Sequence, residues 1–338
     1  MQTKEHSMKQ VHDVNGRGPS LLTVNGKVYD VVSFLDIHPG GPDLIAEYLN
    51  GKDVGRLMEG LDDPSAHEHS RAAMTMLEQF LVINENTGKR VEETRTSDKT
   101  FQIDPTKPLI PQVGYLGKDY EEWVHTPDLT IKNQRLFHSD FMESISRNNW
   151  WTVPIVWGPL AVWSEMRALK FGLSPVMMLS CMLLGYWIWS ITEYFLHRFL
   201  FHMKADTYWT ATAHYFIHGL HHKYPLDFKR LIFPPPFSSP VIYLLWWVSK
   251  VVFPNAVSQS VFGGGLVGYI FYDVQHYFLH FGNAFTEGLR DMKRYHLNHH
   301  FKVHTDGFGV TTKLWDWVFG TLPATSGSKV SKKLHDRK

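Results

Sequence analysis

With a single cysteine, Cys181, the 338-residue sequence can form no internal disulfide. That excludes a small, disulfide-stapled scaffold. Cys181 lies within an apolar run, as a buried thiol would in a chain facing a reducing compartment. Net charge is almost absent as well, at +1, with 34 Lys and Arg against 33 Asp and Glu. Nothing there gives the overall electrostatic pull of a nucleic-acid binder, so no nucleic-acid partner is expected. The opening stretch, MQTKEHSMKQVHDV, has no apolar run, so no secretory signal peptide is read there. No internal repeat and no low-complexity tract is found. What remains is low in charge, at 20%, and high in aromatics, at 14% with 12 Trp. That mixture points to contact with a membrane.

The chain is long enough for two domains, and its character changes near residue 140. Before that point it reads as soluble. KVYDVVSFLDIHPGG begins with strand-like alternation and ends in a Pro-Gly-Gly turn. DLIAEYLNG and AAMTMLEQFLV carry helical apolar spacing. From Asn84 to about Pro111 the composition is polar and reads as a linker. After residue 140 come four apolar runs: WWTVPIVWGPLAVW, SPVMMLSCMLLGYWIWSITEYFL, FSSPVIYLLWWVSKVVF and AVSQSVFGGGLVGYIFYDVQHYFL. Each approaches the roughly 20 apolar residues of a membrane-spanning helix, and Trp and Tyr crowd their ends. Four spans in two hairpins are expected. The blocks 202–231 and 282–338 then share one side of the membrane. The second block carries ten Lys and Arg against five Asp and Glu, which assigns that side to the cytosol.

Those blocks hold the histidines. Twelve of the 20 lie between His197 and His304, and ten of these fall into four groups. HRFLFH supplies His197 and His202. HGLHH supplies His218, His221 and His222. HYFLH supplies His276 and His280, and HLNHH supplies His296, His299 and His300. Spacings of three and four put the members of each of the last three groups on one helix face. His197 and His202, five apart, point roughly 140° from one another on an ideal helix, so they serve different metals or the helix ends between them. Imidazole ligates Zn, Fe and Cu, and ten imidazoles are too many for one ion, so two ions with about five each are expected. Glu193 and Asp273 precede His197 and His276 by four and three residues. Each could accept the free N–H of a ligating imidazole or act only as an interfacial charge. His214 and His304 fall outside the four patterns and are left out of the ligand set.

EYFLHRFLFH, HGLHHKYPLD and YHLNHHF together resemble the fatty acid hydroxylase superfamily, over roughly residues 141–322, and FGVTTKLWDWVFGT is similar to the same family. The resemblance implies four transmembrane helices beneath a cytosolic helical cap that holds a di-metal site. His197, His202, His218, His221, His222, His276, His280, His296, His299 and His300 would be its ligands. It implies iron for activity, with zinc able to occupy the sites. Earlier in the chain, VYDVVSFLDIHPGG resembles cytochrome b5. That likeness implies a small α+β domain binding haem b between His38 and a second histidine, His69 in SAHEHSRAAM, with His67 the competitor. The opening strand, GRGPSLLTVNGK, is weaker than that family's. Residues 27–78 carry ten Asp and Glu against four Lys and Arg, an acidic face suited to a basic partner.

The two segments in this order, with RLIFPPP after the second box, resemble the sphingolipid 2-hydroxylase branch. The expected domains are 12–84 (b5-like), 85–140 (linker and amphipathic connection), 141–322 (membrane hydroxylase) and 323–338 (polar tail). The implied activity is oxygen-dependent 2-hydroxylation of the acyl chain of ceramide or a long-chain fatty acid. Electrons would come from an NAD(P)H-dependent reductase through the haem. The implied place is the endoplasmic reticulum membrane, with the b5 domain and metal site in the cytosol. KYPLDFKR would hold the lipid headgroup. An acyl desaturase or a sterol oxidase shares the metal chemistry and is the alternative.

Overall fold

The computed structural model describes residues 20–32, 34, 35, 38, 42–61, 69, 71–84, 101–129 and 134–323. It divides into two units, residues 1–97 and 98–338. In the first, β1 (Leu21–Val24) and β2 (Lys27–Asp30) form a hairpin, with Leu22 opposite Tyr29 and Val24 opposite Lys27. The two-residue turn is Asn25-Gly26, both at positive φ, the geometry that matches the twist of paired strands. Asp53 fastens it by accepting from the N–H groups of Asn25, Gly26 and Gly55. The opening strand, weak by composition, thus forms and closes. Three short helices follow: α1 (Pro42–Ala46), α2 (Gly55–Met58) and α3 (Arg71–Glu78). β3 (Leu81–Asn84) then pairs antiparallel with β2. The AAMTMLEQFLV stretch therefore begins as helix and ends as strand. Leu22, Val24, Tyr29, Val31, Val32, Leu35 and Phe80 are among the buried apolar side chains of this unit.

The second unit begins earlier than the sequence reading placed it. Much of the expected 85–140 connection is folded: α4 (Ile110–Val113) and α5 (Tyr120–Val124) bury Leu109, Val113, Tyr120 and Val124. They pack against Ala211, Tyr215 and Leu220. The polar run before residue 101 had masked these short apolar pairs. α6 (Asp140–Ile145) leads into α7 (Thr152–Lys170) and α8 (Pro175–Phe195). α8 opens on Ser174, whose hydroxyl accepts from Met177 N, and on Pro175, a strong start signal. It continues through a π-helical turn, Leu196–Phe201. Then come α9 (Tyr208–His214), a second π-helical turn (Tyr215–Gly219), α10 (Leu220–Lys223), α11 (Pro235–Val252), α12 (Asn255–Phe281), α13 (Glu287–Phe301) and α14 (Leu314–Phe319).

Helices α7, α8, α11 and α12 form a bundle around Val153, Trp157, Trp189, Ile242, Leu266 and Tyr269. α12 is its buried centre. A Cβ added to Gly185 would lie 2.0 Å from Val261 O, and one on Gly264 would lie 2.0 Å from Met182 O. Glycine is what lets α8 and α12 touch backbone to backbone. The other three helices turn large apolar side chains outward, among them Trp163, Val176, Trp187, Leu244 and Val251. Four long helices are present where four spans were expected. Among the described residues, however, only the continuous run Pro175–Phe201 is long and apolar enough by itself to cross a membrane. Glycines and polar residues dilute α12, while Glu165, Arg167 and Lys170 dilute α7. The expected polar tail lies outside the described residues from 324 onward.

Candidate metal centre

The ten histidines of the four sequence groups come together at one end of the bundle as two clusters of five. His197, His202, His218, His222 and His299 form the first; His221, His276, His280, His296 and His300 form the second. Within each cluster, one ring nitrogen per residue lies within 4.8 Å of all the others. In the first cluster, Nε2 atoms stand 3.1 Å apart for His197 and His218, 3.0 Å for His218 and His222, and 3.0 Å for His202 and His299. In the second they stand 2.8 Å apart for His280 and His296, and 3.1 Å for His296 and His300.

One alternative left by helical spacing is resolved here, since the helix ends at Phe201, and one expectation is corrected. His197 and His202 share a cluster. The intervening turn is π-helical, with His202 N donating to His197 O at 3.1 Å, and an i→i+5 turn sets residues five apart on one side. The H-x-x-H-H groups, in turn, do not converge on one point. The i,i+4 pairs His218/His222 and His296/His300 stay together, while His221 and His299 cross to the other cluster. The α10 and α13 segments each stand between the clusters and feed both. The second π turn also removes His214 from the face of His218. Its Nδ1 lies 2.6 Å from the Tyr120 hydroxyl instead.

The ring nitrogens fit metal ligation. With metal–nitrogen bonds of about 2.0–2.1 Å, ligands at right angles sit about 3.0 Å apart and opposed ones about 4.2 Å. Several buried nitrogens also lack any protein partner: both of His221, Nε2 of His276, and Nδ1 of His222, His296 and His300. An unsatisfied buried polar group costs about 1–3 kcal/mol, so five such histidines are a cost the fold bears for a ligand. Burial pushes His202, His218, His221, His222, His296, His299 and His300 well below the usual imidazole range, and neighbouring imidazoles push the same way. They are neutral at pH 7, the form that ligates.

The orienting groups are backbone carbonyls, which the sequence does not mark. His197 Nδ1 donates to Phe308 O at 2.5 Å, and His299 Nδ1 to Asp306 O at 2.8 Å. Asp316, fully buried, fastens this loop by accepting from Phe308 N at 2.9 Å, Gly309 N at 2.7 Å and the Thr321 hydroxyl at 2.7 Å. The FGVTTKLWDWVFGT stretch was a visible signal for it, without a role. Glu193 takes up the N–H and hydroxyl of Thr311; among the described residues, no hydrogen bond joins it or Asp273 to a histidine. Both carboxylates line a cavity of about 370 Å³ that reaches His218, His221 and His276. Its other walls are mostly apolar, including Phe201, Phe216, Phe233, Phe237, Val241 and Ile242, with Ser146 and Arg230 among them. Three of the four charged groups of KYPLDFKR are held by protein partners. Lys223 donates to Thr126 O, and buried Arg230 pairs with Glu143 and Asp227.

In the first unit, His69 Nδ1 lies 3.3 Å from Met58 O. A donated Nδ1–H there orients the ring. The ring of His38 packs edge-on against Phe34. His38 and His69 are the two histidines that the cytochrome b5 resemblance implies as axial ligands. His67 lies outside the described residues.

Comparison with known proteins agrees with both halves. The family described as fatty acid hydroxylase matches residues 182–321, and the cytochrome b5-like heme/steroid binding domain matches residues 7–84. The chain is 45% identical to a dihydroceramide fatty acyl 2-hydroxylase of Arabidopsis thaliana, over 68% of this chain and 97% of that one. It is 38% identical to the fatty acid 2-hydroxylase of Homo sapiens, over 88% and 89%. It is 32% identical to a ceramide very long chain fatty acid hydroxylase of Saccharomyces cerevisiae, over 93% of each. A solved structure of full-length scs7p, with only the hydroxylase domain visible, superposes with a TM-score of 0.63 at 32% identity. That match covers 68% of this chain and 88% of that one.

Proposed function

The chain belongs to the fatty acid hydroxylase family, among the fatty acid 2-hydroxylases that carry a cytochrome b5-like domain, and from that premise we propose that it 2-hydroxylates the fatty acyl chain of ceramide or a related sphingolipid. The observation that carries this reading is an apolar cavity lined at one place by members of both five-histidine clusters. His197, His202, His218, His222 and His299 are assigned to one metal ion. His221, His276, His280, His296 and His300 are assigned to the other. Iron held this way supplies the oxygen chemistry that an unactivated C–H bond requires, whereas zinc fits the same imidazoles without redox capacity.

The chain's own residues do the positioning. Phenylalanines of the cavity bury an acyl tail at about 25 cal/mol per Å² removed from water. They hold one carbon of it beside His218, His221 and His276 and keep bulk water out. Glu193 and Asp273 put the polar part of that lining next to the same place, where the acyl carbonyl end would lie. Asp316 keeps the 306–308 carbonyls against His197 and His299, so those rings stay aimed.

His38 and His69 are assigned as axial ligands of haem b, which when bound would supply one-electron transfer from an NAD(P)H-dependent reductase. The ten Asp and Glu against four Lys and Arg of residues 27–78 suit a basic partner. The outward apolar side chains of α7, α8 and α11 support a lipid-embedded bundle. We place it in the endoplasmic reticulum membrane with the histidine clusters on the cytosolic side.

Lipid mass spectrometry of cells with and without the protein tests the activity. Sphingolipid acyl chains should gain one oxygen at the second carbon. Loss of two hydrogens instead would make the protein a desaturase, and an oxidised sterol a sterol oxidase. For the haem, His69→Ala should abolish the low-spin spectrum while His67→Ala preserves it. The reverse would move the ligand to His67.

A further inference from the structure

Two openings reach the histidine clusters, and their linings differ. One is the apolar cavity. The other, of about 490 Å³, is lined by Glu121, His125, His202, His214 and His304, with Arg198 beside them. His202 is half-buried, whereas the other nine histidines of the two clusters are buried. Outside it stand two further trios with ring or carboxylate atoms within 4.8 Å of one another: His125, His202 and His214, and Glu121, His125 and His304. His125 belongs to both. Its side chain is only 7% exposed, with Nδ1 3.2 Å from a Glu121 carboxylate oxygen. Its Nε2 is buried with no hydrogen-bond partner. The His125 ring stacks on His304 at 3.7 Å between centroids, and lies nearly parallel to His202 at 5.8 Å.

We propose that Glu121, His125 and His304 form a third cation-binding site, a vestibule that takes a divalent transition-metal ion from solvent and passes it through His125 to His202 of the first cluster. The proposal rests on reading the ten histidines as ligands of two ions. An ion bound for those buried sites has to give up its water, at a cost of several kcal/mol unless ligands replace it as it goes. The other cavity carries two carboxylates, Glu193 and Asp273, but most of its lining is aromatic or aliphatic and Arg230 stands among it, so most of that wall offers a cation no ligand. The histidine-lined opening offers a carboxylate first and imidazoles after it, both suitable for divalent ions. Ligand atoms of Glu121, His125 and His304 lie within 4.8 Å of one another and Glu121 is exposed, so an ion can enter there from solvent, with His202 next to His125 on the inner side.

The test is zinc uptake by purified full-length protein stripped with a chelator, using Zn²⁺ alone and elemental analysis of quenched time points. Wild-type protein should recover two zinc ions per chain. The E121Q/H304A double variant should load about tenfold more slowly yet reach the same final content, which also shows that it is folded. Phe237→Trp, which narrows the apolar cavity, should leave the uptake rate as in wild type. Unchanged uptake in the double variant overturns the proposal, as does slowed uptake in Phe237→Trp alone. A final content below two in the double variant also overturns it, because those residues would then hold a resident ion. Failure of wild-type protein to bind zinc would sink the two-ion reading itself, and this proposal with it.

Discussion

The two five-histidine clusters draw on the same segments, α10 and α13, but are held by different means. The first is aimed by hydrogen bonds: its His197 and His299 donate to carbonyls of a loop that Asp316 fastens. The second has no such donors at His221, His296 and His300, whose Nδ1 atoms lack partners. Its shape comes from α12 and α13 lying against each other, and from the i,i+4 pairs His276/His280 and His296/His300. One metal position is thus set by a loop, and its neighbour by helix packing. A perturbation of the loop and a perturbation of the bundle should therefore separate them.

The largest effect should come from removing one ligand on either side. His221→Ala in the second cluster, or His202→Ala in the first, should abolish hydroxylation and lower the non-haem metal content from two ions per chain to about one. If either substitution empties both positions, the clusters are one cooperative site and the comparison fails. Next is Gly264→Val. Its side chain would meet Met182 backbone at the α8–α12 contact, and backbone cannot yield as a flexible side chain would. A loss of about 3 kcal/mol is expected, read as a lower thermal midpoint in detergent. Both clusters should weaken together, since α12 carries the second and α8 leads to the first.

Asp316→Ala should act on the loop alone. Zinc affinity of the first cluster should fall about 10- to 100-fold, with the second unchanged, in a chelator-competition titration that resolves two sites. Equal weakening of both would assign the loop to the whole centre. The smallest effect belongs to His214→Ala, which should keep both ions. His214 is held at about 4 by burial, with the nearby His125 contributing, against about 6.5 in an unfolded chain. The unfolded chain therefore binds the extra proton between those values. The stability from neutral His214 is complete above about pH 6.5 and is lost as pH falls toward 4. Thermal midpoints measured across that window should fall less steeply in the variant than in wild type. A slope equal to wild type would remove His214 from the acid response.

Much of this arrangement is legible in the sequence, and the illegible parts have physical causes. The i,i+4 pairs could be read because an α-helix returns to one face every 3.6 residues. The crossing of His221 and His299 could not, since a helix standing between two clusters uses i+3 and i+4 for opposite sides. The union of His197 with His202 depends on a π-helical turn, and apolar spacing does not encode that hydrogen-bond register. Four long helices were visible as apolar runs. The burial of α12 was written in Gly263, Gly264 and Gly268, which read as loss of hydropathy rather than as close packing. Asp316 lay in a stretch noted for its resemblance, but its partners are backbone atoms and leave no mark in composition. The folded 101–124 segment was hidden by the polar run before it.

Elemental analysis of the purified full-length protein, alongside product mass from the same preparation, tests the central claim most directly. Two non-haem metal ions per chain, with an acyl product carrying one added oxygen, is the expected result. Hydroxylating protein with a metal content near zero would contradict the assignment of these histidines.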